Sequence, residues 1–111
     1  MKVFISLPMG GRTQSEVMRD IDRLKHSVST YYPDAEFLHG FMAEEGANPL
    51  EFLGEAIKIL SQADAAVFSP GYYAARGCRI ERRCCEYYGI PVIDLSTGIM
   101  MKLSTDRKAW R

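Results

Sequence analysis

AAVFSPGYYAARGCRIERRCCEYYGIPVIDL, residues 65–95, is the stretch on which the fold turns. Its first four residues form a continuous apolar run, the pattern of a strand covered on both faces. Ser69-Pro70-Gly71 breaks that run. A helical pattern starts at Gly77 or Cys78 and continues to Tyr88, where Gly89 ends it. Pro91 to Leu95 then reads as a second apolar strand. Strand, helix and strand at these lengths make a parallel βαβ unit with a right-handed crossover.

The same alternation extends towards the N-terminus. Asn48-Pro49 opens a helix that places Leu50, Leu53, Ile57 and Leu60 on one face. Met42 to Asn48 reads as a polar loop, and Ala35 to Phe41 as a strand after the Pro33-Asp34 turn. From Thr13 or Ser15 to Tyr31 the spacing of Val17, Ile21, Leu24 and Val28 predicts an amphipathic helix, with Ser15 as its N-cap and Glu16 in its first turn. Val3 to Leu7 is a short buried strand closed by Pro8 and Gly10-Gly11. After Gly98 the pattern is mixed, and a short helix with Trp110 near its end is expected. The order β-α-β-α-β-α-β predicts one α/β domain over residues 1–111. It is a flavodoxin- or Rossmann-like three-layer sandwich with a four- to five-stranded, mostly parallel sheet.

Composition limits the function classes. The chain has 111 residues, and its 14 basic and 14 acidic side chains cancel. No net field therefore favours a nucleic acid polymer or an anionic membrane. No apolar stretch reaches the roughly 18 residues of a membrane span. The opening MKVFISLPMGG is too short an apolar run for a signal peptide and reads as a strand. Three cysteines without framework spacing suggest a reducing, cytoplasmic setting.

An open parallel sheet binds its ligand at the carboxyl ends of its strands. Segments 8–12, 39–49, 69–77 and 96–98 are thus expected along one edge. Pro8-Met9-Gly10-Gly11-Arg12 offers backbone N–H groups and a guanidinium to an anion, or else a plain Gly-rich turn. Pro70, Gly71, Tyr72 and Tyr73 present two rings on a loop, suited to stacking on a base, or else with one ring packed under the loop and the other exposed. Glu81, early in its helix, is either a charged carboxylate at a pocket edge or a helix-stabilising acid. His39 is a secondary candidate at a strand end. Cys78, Cys84 and Cys85 lack paired metal-ligand spacing and read as small buried hydrophobes, so neither a metal nor a cofactor is expected.

Taken together, VFISLPMGGR (3–12), ILSQADAAVFSPG (59–71) and RGCRIERRCCEYYGIPVI (76–93) resemble the nucleoside 2-deoxyribosyltransferase-like superfamily, especially its small members and its deoxynucleoside-monophosphate hydrolases. The resemblance implies that Glu81, four residues after Gly77, is the nucleophile at the sugar C1′. It also implies that Gly10-Gly11-Arg12 lies at the phosphate or sugar. The small-molecule partner would be a nucleoside or nucleotide, and the chain a homodimer or larger homo-oligomer. Where members carry a helical acid and a phosphate-holding serine, this chain has Ala56 and Ala75; Glu55 and Asp94 are the candidates for the missing acid. Three functions stay open: an N-glycosidase or deoxyribosyltransferase, a catalytically silent nucleotide-binding module, and a structural or interaction domain.

Overall fold

The computed structural model describes residues 1–39 and 48–102. In chain order these form β1 (Lys2–Ser6), α1 (Gln14–Tyr31), β2 (Glu36–Leu38), α2 (Pro49–Leu60), β3 (Ala65–Phe68), α3 (Arg76–Tyr88), β4 (Val92–Ile93) and β5 (Met100–Met101). A single 3-10 turn, Tyr72–Ala74, precedes α3. The sheet order is β2-β1-β3-β4-β5. β1 pairs in parallel with β2 and β3, and β3 with β4, while β5 runs antiparallel to β4.

β1 shows why both faces are covered. Val3, Ile5 and Leu7 point to one side and pack on Val17, Ile21, Leu24 and Val28 of α1. Phe4 points to the other, where Ala66 and Phe68 of β3 join Ala56 and Leu60 of α2 and Cys85 of α3. Period-two alternation thus supplies two cores from one strand. The helices start where local chemistry permits. Thr13, not Ser15, caps α1 by accepting from Glu16 N–H at 3.2 Å. Asn48 caps α2, accepting from Glu51 N–H at 2.8 Å ahead of Pro49. α3 starts at Arg76, one residue before the expected Gly77, and ends at Gly89 in the left-handed region, φ +71°.

Two expectations change at the C-terminal side. β4 is shorter than Pro91–Leu95, and the mixed segment after Gly98 enters the sheet as β5. Gly98 makes that return possible: its φ is +73°, and a Cβ there would collide with the Tyr31 ring. The Tyr31 and Tyr32 hydroxyls donate to the Ser96 and Gly98 carbonyls at 2.9 and 2.5 Å, fastening the turn to the end of α1. Of the second expected strand, Ala35 to Phe41, Glu36–Leu38 form β2, while residues 40 and 41 lie outside the described residues. The polar loop 42–48, apart from Asn48, and the expected helix near Trp110 lie outside the described residues.

Candidate functional site

The order β2-β1-β3 contains a reversal. From β1 the chain crosses to β2 on the α1 side, then returns over β1 to β3 on the α2 side. The carboxyl ends of β1 and β3 are therefore the switch point, the place at which open α/β sheets hold ligands. Ser6 is the last residue of β1 and shares the parity of Phe4, so its side chain faces α2 and α3. Its register partner is Phe68, and Ser69 N–H donates to the Ser6 carbonyl at 2.9 Å. Ser6 and Ser69 are both buried.

Glu81 reaches this point from α3. Cys78, Glu81 and Cys85, at spacings of three and four, form the buried stripe of the helix, so a carboxylate occupies a position where packing alone would favour an aliphatic residue. Glu81 is only 7% exposed. Its Oε1 accepts from Ser6 Oγ at 2.6 Å, and Oε2 accepts no hydrogen bond among the described residues. Burial raises the carboxyl to about 6, against the opposing effect of the Ser6 hydroxyl. At neutral pH the group is thus roughly nine-tenths ionised.

Glu55 and Asp94, the expected partners of Glu81, make no hydrogen bond to it among the described residues. Glu55 is exposed on α2, whereas its neighbour Ala56 is the residue turned into the core. The Asp94 carboxylate accepts from Ser96 Oγ at 2.6 Å, Ser96 N–H at 2.8 Å and Thr97 N–H at 3.1 Å, which holds it below the usual carboxylate range. It is committed to its own turn. Among the described residues no neighbouring carboxylate adds to the upward shift, and burial is its cause.

Arg12 is also committed. Its Nη1 donates to the Pro8 carbonyl at 2.8 Å, and its Nη2 donates to the Glu16 carbonyl at 3.3 Å and forms an ion pair with Asp20. The guanidinium therefore braces the β1–α1 turn onto α1. Gly10 and Gly11 are exposed with open space around them, Gly11 at φ +72°, while Pro8 and Met9 are half-buried. Gly71, at φ +82°, forms the turn after β3, next to an exposed Pro70. At Gly77 a Cβ would stand 3.8 Å from Leu53 Cδ1, an ordinary contact, so packing on α2 does not demand glycine there.

Tyr72 and Tyr73 line a cavity with Arg79, Arg82, Arg83 and Glu86, on the flank of α3 away from its buried stripe. The cysteine thiols are all held protonated: burial raises Cys78 and Cys84, and pushes Cys85 up to about 12. Burial likewise lowers the His39 imidazole. Among the described residues no cluster of three His, Cys, Asp or Glu side chains could hold a metal, and no helix is long and apolar enough to cross a membrane.

Sequence reasoning singled out Glu81 but not its hydrogen-bond partner Ser6. The signal was its parity with Phe4 inside an apolar run, which carries meaning once the helix over that face is known. Comparison of the chain with protein-family models, curated proteins and solved structures finds no match.

Proposed function

We propose that the switch point at the carboxyl ends of β1 and β3 binds the sugar of a nucleoside or nucleotide, and that Glu81 acts on its C1′ as an N-glycosidase or deoxyribosyltransferase nucleophile. The observation that carries this is an ionisable carboxylate placed in a helix's buried stripe at the sheet's switch point, with a single serine holding one oxygen. Ser6 fixes Oε1 and leaves Oε2 for attack. The Glu81 oxygen would bond to C1′ as the C1′–N bond breaks, its electron pair leaving with the base, which takes up a proton. Water attacking C1′ would then release Glu81 and the free sugar; a second base attacking instead would complete a transfer.

Binding without cleavage is the second reading, and one observation favours it. Two-carboxylate glycosidases place their acids roughly 5–5.5 Å apart in the retaining geometry. Glu55 is exposed on α2 and Asp94 is hydrogen-bonded within its own turn, and among the described residues neither is hydrogen-bonded to Glu81. Chromatography of free base released from a panel of nucleosides and 5′-monophosphates separates the two. Glycosidic chemistry requires release by the wild type that Glu81→Ala abolishes. Absence of release from every substrate, alongside ligand-induced thermal shifts, would leave binding alone.

A further inference from the structure

The flank of α3 that carries Arg79, Arg82, Arg83 and Glu86 repeats at three, four and seven residues, which is one helical face. With Tyr72 and Tyr73 of the preceding turn it encloses an open cavity of about 420 Å³, and Glu81 is not among the lining residues. Three guanidinium groups face one carboxylate there, a balance of 3 − 1 = +2 in a chain of zero net charge.

Arg82 is the centre of that charge. Its guanidinium lies 5.2 Å from the Phe68 ring and 5.3 Å from the Tyr72 ring, and the side chain is half-buried. Two aromatic faces hold it in place. Yet among the described residues it makes no hydrogen bond and no ion pair, so its N–H donors stand unengaged. Arg12, by contrast, engages both of its terminal nitrogens, with Pro8, Glu16 and Asp20. Arg79 is fixed beside it, donating from Nη1 to the Tyr73 carbonyl at 2.6 Å, while Arg83 meets Glu86 at 3.6 Å. The Tyr73 ring stands edge-on to Tyr72, with an interplanar angle of 78° and centroids 6.0 Å apart. It is 68% exposed, which leaves a flat apolar surface beside the charge.

We propose that this cavity is a ligand site distinct from the switch point at Glu81, and that it takes a planar ring carrying a phosphate monoester. The ring stacks on Tyr73, and the dianionic phosphate meets the donor forks of Arg82 and Arg79. The charge of such a phosphate matches the local excess. The site does not depend on glycosidic chemistry at Glu81.

Titration calorimetry at low salt tests it with the 5′-monophosphates of adenosine, guanosine, cytidine and uridine, the four parent nucleosides and inorganic phosphate. At least one monophosphate is expected to bind roughly tenfold or more tighter than both its nucleoside and free phosphate, because charge-assisted donors and a stacking face act together. Arg82→Gln is expected to remove about tenfold of that affinity, and Arg82→Lys most of it, since lysine keeps the charge and loses the planar fork. Should Arg82→Gln melt early, Arg79→Gln provides the same reading. In a Glu81→Gln background, which prevents any cleavage during the titration, Arg82→Gln is expected to lower the monophosphate affinity by the same factor, as a group outside the cavity should allow. A nucleoside binding as well as its monophosphate, with neither weakened by Arg82→Gln, would overturn the proposal, as would free phosphate binding as well as any nucleotide. Loss of binding in Glu81→Gln would place the ligand at the switch point and overturn it too.

Discussion

The two faces of the sheet are built from the same strands and differ in what they bury. Towards α1, β1 and β3 present Val3, Ile5, Ala65 and Val67, and the helix answers with Val17, Ile21, Leu24 and Val28, so every buried side chain is aliphatic. Towards α2 and α3 they present Phe4, Ser6, Ala66 and Phe68, and α3 answers with two cysteines flanking a glutamate. A leucine at position 81 would complete that stripe and spare the fold a buried charge. The α1 face is therefore organised for packing, while the opposite face gives up packing to position an acid.

Substitutions on the two faces should separate in cost. Ile21→Ala, at 0% exposure against α1, is expected to lose about 2–5 kcal/mol in urea unfolding. Gly98→Ala combines a collision with Tyr31 and a left-handed φ, and is expected to cost about 2 kcal/mol or more by the same measurement. Cys85→Ala, equally buried but on the α3 face, removes a single heavy atom and should cost only about 1 kcal/mol. If Cys85→Ala matched Ile21→Ala, the contrast between the faces would fail. Ser6→Ala sharpens it from the other side: losing the hydroxyl is expected to cost about 1 kcal/mol at pH 8 and to move the Glu81 carboxyl above about 6. A pH–rate or carbon-13 carboxyl titration unchanged in Ser6→Ala would show that the hydrogen bond does not tune the acid.

How far these faces could be read from sequence depended on whether the controlling contact was local. The apolar stripe of α1 and the runs of β1 and β3 are local patterns, and they correctly led to the α/β order. Asp94 was legible in principle as a turn residue, since Ser96, Thr97 and Gly98 follow it and its carboxylate bonds to the first two. β5 was not legible, because two methionines carry no period and their pairing with β4 depends on Gly98 passing Tyr31. The contacts of Arg12 were hidden for a similar reason. A Gly-Gly-Arg turn offers a free guanidinium only if nothing downstream claims it, and Asp20, two helical turns on, does so. Ser6 acquires its role from a residue 75 positions away. The arginines of α3, in contrast, announce their shared face by spacing alone.

The pH dependence of stability tests the buried acid most directly. In the folded chain Glu81 holds its proton up to about 6, against 4.5 for an unperturbed carboxyl. Between those values the folded state binds more protons than the unfolded one. Stability therefore falls as pH rises through that window and levels off above it. Glu81→Gln, uncharged at every pH, escapes this loss. Urea midpoints of the two proteins are expected to agree near pH 4 and to diverge by pH 8, the variant being more stable by about 2 kcal/mol. A constant difference across the whole range would contradict a buried, ionised Glu81 held at the expense of the fold.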